Sequence, residues 1–559
     1  MKEPSACVMF FLALTVILGL SYGVQGGYQD YCVIGAGPSG LQMGYFLASA
    51  GRDYIIFERS NVSGNFYVNY PRHRKLISIN KRWTGKTNKE YLDYLRDYQQ
   101  RLALNVQFNT EIRNVRKEVC EGAPDGHVYT MVDQRDVPYK CGRLIIATGI
   151  GKPNIPDIEG MDLVDGYEDM SLNKDDYEGQ TVLILGRGNS AFETATHIYG
   201  STNLIHMIAR SRVRLSWATH YVGDLRAINN ELLDTYQLKS LDGVLEASLS
   251  EVAIVKDADG KLALKIVDSG PEEESEDTFD NFAMREPYDR IIRCLGFTFD
   301  NMDHTGMFVA GTASHSLDFR KSAGGFIHGF RYSARALHRL LEWRYHGNAW
   351  PSTTVPHQQL LTHILKRINE ASGIYQMFSV LGDVIILGNE TYTYLEEFPI
   401  NLVHNLYEMS GHKGSKIIVL NLQYGPNFSG PGNDIFRLDR ATGDPSDAHK
   451  SNFLHPAFYY YEKLPTEHQM KYKGMSNHLP RPDLLHHIVE DFLTTWDAST
   501  SHILPLRRFL ENVLNKDMRN YFAEDCMEMA LTNLDVPYSC QEFYMNGAGL
   551  AGSTLHMSK

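Results

Sequence analysis

The chain has 559 residues, 43% hydrophobic, 22% charged and 11% aromatic, with 54 basic against 67 acidic side chains and a net charge of −13. That length exceeds what one hydrophobic core accommodates and predicts about three or four packed units, while the composition excludes a disordered or fibrous chain. The acidic balance argues against nucleic acid, whose affinity comes from clustered Lys and Arg, and seven cysteines are too few to build such a chain from disulfides.

At the N-terminus Lys2 precedes an uncharged apolar run, Cys7 to Leu20, followed by Ser21 and Gly23 in a small-x-small pattern. This reads as a secretory signal peptide over residues 1–23, since the run is shorter than the roughly 20 residues of a membrane span; an uncleaved anchor is the rival. No later segment is apolar enough to span. The mature chain is therefore expected in a luminal or secreted setting, with which sequons at Asn61, Asn389 and Asn427 are compatible.

A short strand, Tyr31 to Ile34, then runs into Gly35-Ala-Gly37-Pro38-Ser39-Gly40, a helical stretch follows, and a second strand, Tyr54 to Phe57, ends in Glu58. A glycine triplet alone is weak, but this one follows a strand, opens a helix and has an acid about 20 residues on, which is the dinucleotide fingerprint in its required context. Gly35 permits the tight turn, Gly37 lets backbone approach a pyrophosphate, Gly40 allows close helix packing, and Glu58 is expected to accept from a ribose diol. A second copy runs from strand Val182–Leu185 into Gly186-Arg-Gly188-Asn189-Ser190-Ala191. Its second strand, Leu204 to Ala209, leads into Arg210, with Arg212 close behind, where the first copy has an acid. Guanidinium in that place suits a ribose 2′-phosphate, hence NADPH; a solvated basic strand end is the alternative.

Between the copies lies an apolar strand ending at Thr148-Gly149; another, Arg290 to Gly296, follows the second copy, and a third stretch, Gly306 to Thr312, contains Gly311. This order, two Rossmann units each followed by such a strand, resembles the flavin-containing monooxygenase and pyridine nucleotide-disulfide oxidoreductase superfamily over roughly Tyr28 to Arg344. The resemblance implies an α/β fold in which the chain makes an FAD domain, leaves it to build an NADPH domain, and returns. The boundaries it implies are 24–160 and 301–346 for the FAD domain, 161–300 for the NADPH domain, and 347–559 for a C-terminal α+β domain. By it, Gly35, Gly37, Pro38, Ser39, Gly40, Glu58, Thr148, Gly149 and Gly311 would serve FAD. Gly186, Gly188, Asn189, Ser190, Arg210 and Arg212 would serve NADPH.

Longer words narrow the match: YPRHRKLISINKR from Tyr70, LILGRGNSAFETA from Leu183, GTASHSLDFRKSAGGFIHGFRYSARALHRLLE from Gly311, and SHILPLRRFLEN from Ser501. They resemble the family of luminal endoplasmic-reticulum flavoproteins associated with degradation. That family implies binding or delivery of misfolded glycoproteins for retrotranslocation and ubiquitination, with ER-degradation adaptors and a luminal disulfide-reducing J-domain chaperone as partners. The expected location is the endoplasmic-reticulum lumen, or secretion, since the C-terminal LHMSK is no retrieval tail.

The chemistry residues are few, because a flavin carries the redox step. Cys32, Cys120, Cys141, Cys294, Cys526 and Cys540 offer no CxxC pair; Cys32 and Cys294 read as buried small hydrophobes, and Cys120–Cys141 or Cys526–Cys540 as candidate structural bridges. The monooxygenase histidine is absent from the stretch Ile158 to Tyr167. Asn80 is a candidate isoalloxazine contact or an ordinary loop residue. His315 and His328 flank a glycine-rich helix start, and each is more simply structural. No metal spacing appears. From about Trp350 onward there is no fingerprint, only strands such as Lys416–Leu422, the aromatic Phe458–Tyr461 and amphipathic helices near Ile488–Trp496 and Leu504–Leu514, a region suited to partner or client binding. Two alternatives to the degradation role stand: an NADPH-dependent flavin monooxygenase of small nucleophiles, and a Rossmann scaffold without turnover.

Overall fold

A computed structural model describes residues 27–70, 88–123, 125–149, 152–209, 213, 229, 244–246, 252–266, 287–298, 307–317, 322–414, 416–425, 445–451, 453–474, 478–489 and 495–518. The chain forms two compact units, residues 1–320 and 321–559.

The first unit opens with β1 (Tyr28–Ile34), α1 (Pro38–Ser49) and β2 (Tyr54–Phe57), a right-length βαβ start whose strands pair in parallel, Tyr31 against Tyr54 through Ile34 against Phe57. Helix α2 (Asn88–Arg101) leads to β3 (Val106–Gln107), and a meander of β4 (Arg113–Val119), β5 (His127–Val132) and β6 (Pro138–Ile146) follows. The sheet order is β3-β2-β1-β6-β5-β4. Its centre is covered on both faces, so the C-terminal parts of β1 (Tyr31–Ile34) and β6 (Leu144–Ile146) read as continuous apolar runs rather than alternating ones. Helix α1 presses on β2 because residue 44 is glycine: a Cβ there would collide with Ile56 Cδ1.

From β6 the chain passes through β7 (Lys152–Pro153) and β8 (Asp165–Gly166) into a second parallel sheet. This contains β9 (Thr181–Leu185), α3 (Asn189–Ile198), β10 (Leu204–Ala209) and β11 (Val244–Glu246), then the two-stranded β12 (Val252–Lys256) and β13 (Leu262–Ile266), and β14 (Arg290–Arg293). The order is β11-β10-β9-β14-β8. The return runs through β15 (Phe297–Thr298), antiparallel to β7, and β16 (Phe308–Val309), which pairs in parallel with β6 of the first sheet. A mixed sheet, parallel over β3-β2-β1-β6 and antiparallel over β6-β5-β4, with a parallel sheet built within a loop of it, makes the first unit a doubly wound α/β structure.

The second unit begins with α4 (Ile327–His346). Sequence reading placed this helix at the end of the FAD domain, in the 301–346 segment; its Tyr332 and Ala336 instead belong to the core of the second unit with Trp350, Leu381 and Phe398. The unit continues with β17 (Thr353–Pro356), α5 (Leu360–Glu370), β18 (Leu381–Leu387), β19 (Thr391–Pro399), β20 (Lys416–Gln423), β21 (His455–Tyr461), β22 (Leu484–His487) and α6 (Leu504–Leu514). The strands form one antiparallel sheet, β17-β19-β18-β20-β21-β22. One face packs on α5 and α6 through Ile364, Ile368, Phe458, Leu506 and Leu510. On the other face, Leu395 and Tyr459 of the sheet pack with Trp350, Val403 and Met409. With both faces covered, Tyr459, Tyr460 and Tyr461 are core residues at 6%, 4% and 4% exposure, not the exposed aromatic contacts that partner binding would use. The helix expected near Ile488–Trp496 is not formed over its described ends: Ile488 and Val489 are buried outside any helix. No helix among the described residues is long and apolar enough to cross a membrane.

Candidate functional site

At the C-terminal end of β1 the backbone reverses at Gly35, whose φ is +105°. A Cβ at that position would lie 2.6 Å from Ala147 O, so glycine is required there both by the left-handed conformation and by the close approach of β6. The turn is held by Gly35 N–H donating to Phe57 O at 2.8 Å and by Ala147 N–H donating to Ile34 O at 2.8 Å. Gly37 is different. It caps α1 with φ −73° and ψ 179°, and an added Cβ would meet nothing within 4 Å. Pro38 occupies the first helical turn, where its missing N–H costs no hydrogen bond, and no side chain caps the helix. The first-turn N–H groups therefore face the open space beside Gly37, a ready anion site.

The remaining residues singled out from sequence converge on this turn. Gly40 must lack a side chain because its Cβ would fall on Gly35 O. Thr148 and Gly149 follow directly on Ala147, and Gly311, at φ +78°, leaves only room for Ser39 against it, 2.8 Å from its would-be Cβ. Glu58 is buried, and its carboxylate accepts from Ala36 N–H at 2.8 Å, from Ser60 N–H at 3.0 Å and from Ser60 Oγ at 2.8 Å. In this structure, then, the acid ties the glycine turn to the loop after β2, a task sequence reading did not give it.

A dinucleotide fits the chemistry of this cradle. Two hydroxyls beside it, Ser39 Oγ and Ser63 Oγ, are buried without any hydrogen-bond partner, and an orphaned buried hydroxyl calls for a ligand or water to complete it. Gly37 supplies the bare backbone over which a pyrophosphate can close.

The second turn repeats the first. Gly186 has φ +129°, and its Cβ would strike Cys294 O, the counterpart of Ala147 O. Gly186 N–H donates to Ile208 O and Cys294 N–H to Leu185 O, both at 2.8 Å. Gly188 caps α3 with nothing within 4 Å of an added Cβ. Where the first copy has Gly40, this one has the buried Ala191. Asn189 Oδ1 accepts from Asn229 Nδ2 at 2.8 Å. Ser190 lies in the first turn of α3. Arg210, Arg212, Asn80 and Asn427 lie outside the described residues, as do Cys526 and Cys540.

The thiols are buried and poorly suited to exchange. Burial pushes the Cys294 thiol up to about 12, opposed by the Thr194 hydroxyl 3.7 Å away. Burial also raises Cys32, with the neighbouring Cys141 thiol adding to the shift. Cys141 is a free thiol, so the Cys120–Cys141 bridge offered by the sequence is not formed. His328 stacks on Phe326, ring centroids 5.9 Å apart, within the second unit, while His315 sits in the short helix Gly311–Leu317 of the first. Among the described residues no group of three His, Cys, Asp or Glu could hold a metal ion. Asn61 is exposed, and so is Asn389, in the tight turn between β18 and β19 closed by Gly388 N–H to Thr391 O at 2.9 Å. Sequence reasoning passed over Ser63, which it met only as the third residue of a sequon, and Asn229, for which a single sequence carries no signal.

Two glycine cradles, each at the end of a strand paired in parallel on both sides, define the class: an α/β oxidoreductase of the two-dinucleotide type. The pyridine nucleotide-disulphide oxidoreductase family model matches residues 32–279. The mouse FAD-dependent oxidoreductase domain-containing protein 2 is 48% identical, covering 97% of this chain and 92% of its own. The zebrafish (Danio rerio) protein of the same name is 42% identical over 98% of this chain and 92% of its own. The chain belongs to the FAD-dependent oxidoreductase domain-containing protein 2 family. Among solved structures, a flavin-containing monooxygenase from Stenotrophomonas maltophilia aligns at 18% identity, covering 56% of this chain and 98% of that one, with a TM-score of 0.41.

Proposed function

We propose that the first cradle holds FAD, that the second holds NADPH, and that the protein works in the endoplasmic-reticulum lumen in the clearance of non-native glycoproteins. The observation that carries the cofactor reading is the duplicated turn: Gly35 against Ala147 and Gly186 against Cys294, each followed by an uncapped helix whose entrance glycine faces open space. FAD, when bound, supplies two-electron chemistry that amino-acid side chains lack. The chain's own part is to seat phosphates on the N-termini of α1 and α3, to fix the glycine turn through Glu58, and to orient Asn189 through Asn229.

The luminal role is supported by the N-terminal apolar run, by exposed sequon asparagines at 61 and 389, and by family membership. A second unit with no fingerprint of its own leaves mass for binding misfolded glycoproteins, degradation adaptors or a J-domain reductase. Burial of the described thiols supports a division of labour in which disulfide exchange belongs to that partner. The test is anaerobic addition of NADPH or NADH to the purified, FAD-loaded protein while flavin absorbance is followed. Bleaching by NADPH ahead of NADH supports the assignment, and no bleaching by either defeats it. Repeating the addition under air with an amine or thioether distinguishes monooxygenation, which would consume that substrate together with NADPH.

A further inference from the structure

We propose that Ser63 is a cofactor-binding residue of the first cradle, its hydroxyl hydrogen-bonding to the bound dinucleotide; this rests on the reading that the cradle holds FAD. The loop that carries Ser63 is fixed to the glycine turn at both ends. At one end Glu58 accepts from Ala36 N–H, and at the other Gly64 N–H donates to Ala36 O at 2.9 Å. Between them Ser60 Oγ donates to Glu58 Oε1 and to Val62 O, both at 2.8 Å, and Gly64, at φ +74°, lies against Leu92 and Leu95 of α2.

The loop's other paired polar groups bond within it, to Ala36, or to the segment Gln107–Thr110. Ser63 is the exception: it is 1% exposed, and its Oγ has no partner. A residue held so firmly cannot swing its hydroxyl out to water, and a mobile loop would have done so, because a buried unsatisfied hydroxyl is destabilising. It neighbours Gly64, whose hydrogen bond to Ala36 O ties it to the residue before Gly37, and Ser39 beside the same turn shows the same orphaned hydroxyl. Two unpartnered hydroxyls on one dinucleotide cradle are the pattern expected of donors reserved for a ligand rich in acceptor oxygens.

The experiment uses the full chain in flavin-free and FAD-loaded forms, with S63A, the near-isosteric S63C, and N61Q as a control, because S63A and S63C also remove the sequon at Asn61. FAD affinity is read by fluorescence titration and stability by thermal midpoint. The expected result is an FAD dissociation constant about tenfold higher (~1.4 kcal/mol) for S63A and nearly as much for S63C, with N61Q unchanged. The flavin-free midpoint of S63A should equal or exceed that of the wild type, since an orphaned hydroxyl has been removed. Wild-type FAD affinity in S63A and S63C overturns the inference and leaves the FAD reading standing. A flavin-free midpoint that falls with the substitution marks Ser63 as a structural group and also overturns it. Failure of the wild type to bind FAD removes the reading on which the inference rests.

Discussion

Gly35 and Gly37 stand two residues apart in one turn, and the structure predicts opposite consequences for replacing them by alanine. At Gly35 the φ of +105° lies where a side chain is strained by about 1–3 kcal/mol. The new Cβ would also sit 2.6 Å from Ala147 O, whereas ordinary contact begins at 3.4 Å, so β1 and β6 must part by the difference, 0.8 Å. Such overpacking typically costs a further ~1–3 kcal/mol. G35A should therefore lose roughly 2–6 kcal/mol of folding stability before any ligand is considered. At Gly37 neither penalty applies: φ is −73° and nothing lies within 4 Å. G37A should leave flavin-free stability within about 0.5 kcal/mol of the wild type, yet its methyl occupies the space assigned to the pyrophosphate and should weaken FAD binding by at least ~100-fold, or about 2.7 kcal/mol. Denaturant unfolding of flavin-free protein and FAD titration read the two quantities separately. Undiminished FAD affinity in G37A would show that the open space is not where the cofactor sits; a destabilised G37A would show that the turn has been misread.

Other expectations follow from the same geometry. In the second unit Asp383, fully buried, accepts two bonds from Arg367 (2.7 and 3.0 Å), one from Tyr394 (2.9 Å) and one from Glu397 N–H (2.9 Å), so D383L should cost about 3–5 kcal/mol in denaturant unfolding by leaving the Tyr394 hydroxyl and Glu397 N–H unpaired and Arg367 with only the half-exposed Glu396, and a near-neutral result would refute the network's role. Burial lowers His455 to about 4 and His487 to about 3 from 6.5, and His455 Nε2 lies 2.9 Å from His487 Nδ1. Because the unfolded chain then binds more protons than the native one, stability should fall as pH drops below 6.5, by ~2 kcal/mol per histidine at pH 5, and H487N should flatten that dependence. Cys141 should alkylate in denaturant without reductant, and resistance to labelling would contradict its free thiol.

The site was legible where chemistry imposes a spacing. Gly35 and Gly186 are demanded by close backbone approach and Gly40 by its collision with Gly35 O, while Gly37 and Gly188 leave open space at a helix entrance; their fixed spacing after a strand shows in a single sequence. Thr148 and Gly311 were found as turns at the ends of apolar strands. What could not be read is long-range. Ser63 matters because Gly64 bonds to Ala36, 28 residues earlier, and Asn229 because it reaches Asn189, 40 residues away; neither relation leaves a local pattern. Apolar periodicity along α4 could not say which core it joins, and Tyr332 packs with Trp350 of the second unit. The burial of Tyr459–Tyr461 was not legible for a related reason, since a strand covered on both faces loses the alternation that separates inside from outside.

Whether the turn at Gly35 to Gly40 is a cofactor site that this chain fills is read from the flavin content of the full-length protein purified under native conditions and supplied with FAD. One FAD per chain is expected, retained by the wild type and lost by G37A at unchanged fold. A folded wild-type protein that takes up no FAD at all would contradict it.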